Sequence, residues 1–300
     1  MKNKKTIIVT GATGFIGSHL TNQLVSAGWN THIIIRPNSN TSLLKDVLTK
    51  VTIHVHDGTT ENLIEIMSKT KPDVVIHLAS LFLANHSPHD IDPMIKSNIL
   101  YSTQLVEAMV KSNIYHLINT GTSWQHFNNQ PYNPVCLYAA TKEAFNAILT
   151  YYTEVTSLNV TTLKLFDTYG PNDSRSKLIS LLQKTVKEEK QLAMSNGEQL
   201  IDLVYIDDVV NAYMVTIDRH LDGICAKKEE FAISSNNPMS LREIVKIYEK
   251  VIGKSLPIEW GKRPYRIREV MVPWNQGIIL PNWYPKFDLE TGIKKIAFEH

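Results

Sequence analysis

A strand-length run of β-branched residues, Lys5-Thr-Ile-Ile-Val-Thr10, breaks at a glycine and passes into Gly11-Ala-Thr-Gly14-Phe-Ile-Gly17-Ser-His-Leu20. Apolar positions Phe15, Ile16, Leu20 and Leu24 then recur at helical spacing, so the stretch reads as strand, tight turn, helix. Glycine at such a turn permits positive φ, lets backbone approach a ligand closely and lets the helix start pack on the strand. The helix N-terminus offers unpaired N–H groups and a positive dipole end, which suits a pyrophosphate. The spacing is Gly-x-x-Gly-x-x-Gly, flanked by strand and helix as a dinucleotide site requires, and it nominates Gly11, Thr13, Gly14, Phe15, Ile16 and Gly17.

The rest of the chain repeats that alternation. Short apolar runs at Asn30–Ile35, Val51–His56, Asp73–Leu78 and Tyr115–Asn119 follow helix-like stretches, among them Leu43 to Leu48, Leu63 to Lys69 and about Asp92 to Ser112. A helix carrying Tyr138 to Tyr152 precedes a further run, Val160 to Phe166. Runs buried on both faces and separated by helices specify a doubly wound parallel sheet of the Rossmann type, here with at least six strands. Past Tyr169-Gly-Pro171 the rhythm loosens into a helix at Ser176 to Glu189, short strands near Leu192 and Leu203, and helices near Val209 and Leu241. Five prolines from Pro257 to Pro285 then imply an extended, looped tail. The expected organisation is a dinucleotide-binding domain over residues 1–170 and a smaller mixed substrate lobe over 171–300, with segments of about 206–235 returning to the first domain.

With 31 basic and 29 acidic residues the charge is +2, which leaves no footprint for nucleic acid or an anionic membrane. Met1 to Lys5 is basic like the start of a leader, but the apolar run after it ends at Gly11. No apolar segment has bilayer-spanning length, and a cytoplasmic protein is expected. Cys136 and Cys225 are too few for a disulfide framework and lack metal-ligand spacing. No metal is expected.

Tyr138-Ala-Ala-Thr-Lys142 opens an amphipathic helix, and residues four apart share a helical face. A cation beside a phenol favours phenolate and brings the tyrosine toward the working range of a general acid or base. Thr10-Gly-Ala-Thr-Gly-Phe-Ile-Gly17, His77-Leu-Ala79, Asn98, Tyr138-x-x-x-Lys142, Tyr169-Gly-Pro171 and Tyr205-Ile-Asp-Asp-Val209 occur in this order, and with them the chain resembles the extended short-chain dehydrogenase/reductases that act on nucleotide-activated sugars. The resemblance covers nearly the whole chain. It implies Tyr138 and Lys142 as catalytic residues and Thr122 as their partner on the reacting oxygen, with Thr120 and Ser123 as alternatives. Asp57-Gly58 matches the family's adenine contact, and Leu78, Ala79, Ser80 and Leu165 are implied as further cofactor neighbours.

At the end of the second strand an Asp or Glu would mark NAD; Arg36 stands there instead, with no carboxylate among Pro37, Asn38 and Ser39. A guanidinium suits a 2′-phosphate, so NADP (NADPH) is the expected cofactor. The family's dehydratases carry an Asp-Glu pair after the catalytic Thr, whereas Ser123 and Trp124 follow Thr122. Two chemistries remain: a 4-epimerase with bound NAD, or a 4-ketoreductase consuming NADPH, which Arg36 favours. The resemblance is to 4-ketoreductases such as the CDP-abequose synthase group, with a nucleotide-diphosphate sugar as substrate. A non-catalytic NADP-sensing module is the alternative of another class, against which Tyr138 and Lys142 argue.

Departures fall on the substrate side. The family's diphosphate-binding Arg is Ile201, the sixth-strand Arg is Lys164, and the following Asn is Asp167. Arg263 and Arg266, in a basic run of the tail, are the substitutes proposed for the diphosphate. His86 and Trp124, with Gln125 and His126, lie on loops at the carboxyl edge of the sheet, where ligands bind. Cys136 reads as a bystander thiol. Apolar stripes on the Asp92 to Ser112 and Tyr138 to Tyr152 helices resemble those that relatives pair into a homodimer.

Overall fold

The computed structural model describes residues 5–298, so the basic residues 1–4 lie outside it. The chain runs β1 (Thr6–Thr10), α1 (Phe15–Ser26), β2 (Asn30–Ile35), β3 (Thr52–Val55), α2 (Thr60–Thr70) and β4 (Val74–His77). It continues through α3 (Ile91–Ile95), a π-turn (Lys96–Leu100), α4 (Tyr101–Lys111), β5 (His116–Thr122), α5 (Leu137–Val155), β6 (Asn159–Leu165) and β7 (Asp167–Tyr169). Then come α6 (Leu178–Glu188), β8 (Leu192–Ala193), β9 (Leu200–Ile201), β10 (Leu203–Tyr205), α7 (Ile206–Leu221) and β11 (Lys228–Ile233). The last elements are β12 (Met239–Ser240), α8 (Leu241–Ile252), β13 (Ile258–Glu259) and α9 (Leu289–Phe298).

Seven strands form one parallel sheet in the order β11-β6-β5-β4-β1-β2-β3. Because β1 and β4 are fully buried β-branched runs, their side chains fill two layers at once. Ile7 and Val9 join the core beneath α1 and α7, while Ile8 joins the core with α2, α4 and α5. The strand order reverses beside β1, and that reversal leaves a crevice at the carboxyl ends of the strands.

Residues 206–233 belong to the large sheet by packing: α7 lies on the α1 side and β11 is an edge strand beside β6. Within the Tyr205-Ile-Asp-Asp-Val209 motif, Asp208 is buried and accepts from the backbone N–H of Lys286 at 2.9 Å and of Phe287 at 3.0 Å. That carboxylate anchors the tail to α7.

Two expectations change. Leu43 to Leu48 forms no α-helix; the β2–β3 crossover holds two 3₁₀ turns, Ser42–Leu44 and Leu48–Lys50. Six residues give too few hydrogen bonds to offset helix nucleation, and burying Leu44 and Val47 is satisfied by the tighter turns. The tail is looped through its prolines but ends in α9, where the Asp288 carboxylate accepts from the Thr291 N–H at 2.8 Å and caps the helix. Every proline lies before that cap. Among the described residues no helix is long and apolar enough to cross a membrane.

Candidate active site

The glycine turn is held by close contacts. Gly11 has φ of 71°, and a Cβ there would stand 2.6 Å from the Ala79 nitrogen. A Cβ on Gly17 would stand 2.1 Å from the Gly11 carbonyl oxygen. Only glycines allow β1, α1 and the Leu78–Ala79 backbone to approach this closely. Gly14 caps α1 with no side-chain hydrogen bond and no acidic residue in the first turn, so the helix end keeps free N–H donors beside a cleft of ≈ 230 Å³. Gly11, Gly14, Phe15, Ile16 and Gly17 line that cleft, with Leu78, Ser80 and Leu165 around them. Thr13 and Ala79 are half-buried within the same two loops but do not line it.

Asn98, inside the π-turn, links these loops to α5. Its side-chain oxygen accepts from the Leu81 N–H at 2.7 Å, and its amide donates to the Leu81 carbonyl and the Thr141 hydroxyl, each at 3.0 Å. His77 bridges the Thr10 and Ser102 hydroxyls at 2.8 Å each, and burial together with Lys142 pushes its pKa down to about 3. The imidazole is therefore a neutral core brace.

Across the cleft, α5 begins directly after Cys136 and brings Tyr138 and Lys142 to one face, with the ammonium 5.9 Å from the phenol ring centre. Both are buried, at 8% and 4% exposure. Burial pushes the Tyr138 phenol above its ordinary range, with a smaller opposing hydrogen bond from Ser80, and burial pushes Lys142 down to about 8. The expectation that the neighbouring cation brings the phenol toward neutrality is thus reversed in this ligand-free chain. Desolvation outweighs the cation, partly because the Phe82 ring meets Tyr138 edge-on at 4.9 Å. The tyrosine is held as a proton donor.

The three hydroxyls at the end of β5 differ in what they already bind. Thr120 donates to the His77 carbonyl at 2.9 Å and meets the Tyr213 hydroxyl at 2.7 Å, so the core consumes it. Thr122 accepts from the Trp124 N–H at 3.3 Å, and its backbone N–H donates to the Gln125 side chain at 2.9 Å. Its hydroxyl proton has no acceptor among the described residues and can be offered into the cleft. Ser123 also lines the cleft, one residue further into a 3₁₀ turn.

The structure separates the remaining candidates. Arg36 is exposed at the carboxyl end of β2 and forms no ion pair among the described residues. Asp57 points its carboxylate into its own loop, accepting from the Thr59 N–H at 2.8 Å and hydroxyl at 2.7 Å, while Gly58 takes a φ of 100° beside it. Trp124 and Asp167 line both the main cleft and a second cleft of ≈ 70 Å³, which Arg266 also lines. His86 and Arg263 are exposed and line neither. Lys164 is buried between Glu230 at 2.6 Å and His126 Nε2 at 2.8 Å, and does not line the clefts.

Sequence reasoning missed two cations and an aromatic. Lys177 pairs with Asp167 at 2.8 Å, 4.4 Å above the Phe82 ring and 5.3 Å from that of Trp124. Arg175 pairs with Asp173 at 2.7 Å, 4.4 Å over Phe15. All three line the main cleft. The available signal was the polar run Asn172 to Lys177 directly after the Tyr169-Gly-Pro171 turn. Arg266 pairs with Glu269 at 2.9 Å and lies 5.3 Å over Trp124, so Trp124 is flanked by two cations.

Residues 7–227 match the model of the NAD dependent epimerase/dehydratase family. The chain is 27% identical over 305 residues to a CDP-abequose synthase of Salmonella typhimurium, covering 98% of this chain and 97% of that one. A CDP-abequose synthase of Yersinia pseudotuberculosis is 27% identical over 268 residues, covering 89% and 91%. The crystal structure of a UDP-glucose 4-epimerase from Brucella ovis in complex with NAD superposes with a TM-score of 0.84, at 19% identity, over 98% of this chain and 97% of that one. That last likeness is one of fold.

Proposed function

The chain belongs to the NAD dependent epimerase/dehydratase family, and we propose that it is a reductase which uses NADPH to reduce the C4 keto group of a nucleotide-activated 4-keto-6-deoxy sugar. Such a product serves deoxy-sugar synthesis for surface polysaccharide such as lipopolysaccharide. The observation that carries the reading is Arg36, an exposed guanidinium at the end of β2 with no competing carboxylate in an ion pair with it. It favours a 2′-phosphate, hence a consumable reductant over a retained NAD. Full-length similarity to two CDP-abequose synthases supports the same class.

The residues present fit a dinucleotide: the uncapped start of α1, the Gly17 contact that excludes a Cβ and the lining of the main cleft all suit a pyrophosphate. When bound, the nicotinamide supplies the hydride. Tyr138 is the proton donor to the oxygen left on C4, and burial keeps that proton on the phenol until it is needed. Thr122 donates its hydroxyl proton to the same oxygen, so two donors converge where negative charge develops. Lys142 lies beside the phenol and favours the phenolate left after transfer. Lys177 and Arg266 supply positive charge at Trp124 for the nucleotide diphosphate, a role the sequence reading gave to Arg263 or Arg266. Asp167 sits between as the partner of Lys177.

Exposed Ile95 and Leu100 before α4, and Tyr151 and Val155 on α5, support a homodimer through these helices.

The deciding assay mixes the full chain with NADPH and a panel of nucleotide 4-keto-6-deoxy sugars, following NADPH absorbance and sugar product together. One NADPH oxidised per sugar reduced is the expected result. Interconversion of 4-epimers without net NADPH loss transfers the reading to a 4-epimerase with bound NAD. Cofactor binding with neither outcome leaves a sensing module.

A further inference from the structure

At the amino edge of the sheet, away from the cleft, His116, His220 and Cys225 bring Nδ1, Nδ1 or Nε2, and Sγ atoms within 4.8 Å of one another. They come from three elements: the first residue of β5, the last turn of α7, and the turn that leads into β11. His116 is six residues along β5 from Thr122, about 20 Å at the rise of a strand. We propose that these three side chains form a binding site for a divalent transition metal, zinc first, which ties α7 and the edge strand β11 to the centre of the sheet.

The hydrogen bonds orient the donors. Thr161 donates its single hydroxyl proton to Glu229 at 2.8 Å, so the contact between its oxygen and His220 Nε2, at 2.9 Å, has the imidazole as donor. The neutral His220 ring then carries its proton on Nε2 and aims the lone pair of Nδ1 at His116 Nδ1, 3.1 Å away. A hydroxyl holding one imidazole nitrogen while the other faces inward is the arrangement that orients a metal-bound histidine. In a tetrahedral zinc site two nitrogen ligands stand about 3.3 Å apart, as the bond lengths require. The two Nδ1 atoms are already near that spacing.

Two imidazoles and a thiolate match zinc, a borderline cation that accepts both nitrogen and sulfur. Binding requires His116 to carry its ring proton on Nε2 and Cys225 to lose its thiol proton to solvent. Nearby charge is balanced, because Arg219 pairs with Glu229 at 3.0 Å. The turn that presents Cys225 is held by the Gly223 N–H on the His220 carbonyl at 3.3 Å and the Ile224 N–H on the Arg219 carbonyl at 3.0 Å. Cys225 is half-buried, leaving the fourth position reachable by water.

The full chain, stripped with a chelator and dialysed, is titrated with zinc chloride by calorimetry and with cobalt chloride by absorption. One metal per chain, a cobalt–thiolate charge-transfer band and a melting temperature raised by roughly 3 °C or more at saturating zinc are expected. Cys225→Ser should abolish the band and the zinc-induced shift while leaving NADPH affinity within twofold, and Cys136→Ser should retain the band. His116→Gln should weaken zinc at least tenfold, and serves as the reporter should the serine variant fold poorly. No stoichiometric metal in the native chain, or a thiolate band that survives Cys225→Ser and disappears in Cys136→Ser, overturns the site.

Discussion

At one end of the cleft Gly11 and Gly17 fix β1, α1 and the Leu78–Ala79 loop through contacts that one added carbon would break, and the binding groups are backbone N–H donors. At the other end Lys177, Trp124 and Arg266 hang from three loops far apart in the chain and meet through their own side chains, each cation already holding a carboxylate. Backbone sites tolerate almost no change because the peptide cannot be moved without moving the strand. Side-chain sites can trade one residue for another of like charge. The difference explains why the glycine turn keeps its family form while Ile201, Lys164 and Asp167 have drifted from the family's diphosphate contacts.

Substitution can break that contrast, and the largest effect is expected at Gly17. Gly17→Val places carbons inside the Gly11 carbonyl contact, so NADPH affinity should fall at least about 100-fold or the fold itself be lost. Fluorescence titration and a circular dichroism melt read both; native-like binding would show that the turn is not rigid. Next is Tyr138→Phe, which keeps the ring and removes the donor. It should lower kcat by about 10² to 10⁴ with the NADPH dissociation constant nearly unchanged, and near-normal turnover would remove Tyr138 from the chemistry.

Arg36→Asp sharpens the comparison from the cofactor side, where one exposed side chain is added to a backbone site. Losing a charge-assisted phosphate contact and adding repulsion should shift the NADP-to-NAD affinity ratio by about 10 to 100-fold. Equal affinities in the native chain would remove the argument. The smallest effects are expected on the substrate side. Lys177→Ala and Arg266→Ala should each raise the sugar's KM about three- to tenfold, since each cation is partly solvated and already paired. Arg263→Ala should leave KM unchanged, because Arg263 is exposed and lines neither cleft.

The same division governs what could be read from the chain before its structure. The glycine turn, the parallel sheet and the Tyr138–Lys142 face were legible, because strand and helix periodicity and one helical turn are local properties. Lys177, Arg175 and Phe82 were not, since their approach to Trp124, Phe15 and Tyr138 depends on where loops return over the sheet. Leu43 to Leu48 has the composition of a helix and lacks only the length. Cap and helix at Asp288–Phe298 were obscured by the prolines before them. The protonation of Tyr138 was misjudged for a related reason: sequence displays the neighbouring charge of Lys142, whereas desolvation is a property of the whole surrounding shell, Phe82 included.

The π-turn at Lys96–Leu100 carries a consequence for how the chain can change length. A single surplus residue there lets Asn98 reach Leu81 while α4 continues with Leu105, Val106 and Met109 in the core. Excising one residue would restore uninterrupted α-helical bonding, yet it would also rotate everything downstream by about 100°, one residue's worth of helix. Those three side chains would swing off the sheet as the bonding improved. The surplus residue thus works as a phase offset that point substitutions can pass through and deletions cannot, which makes this helix the least trimmable part of the cofactor half.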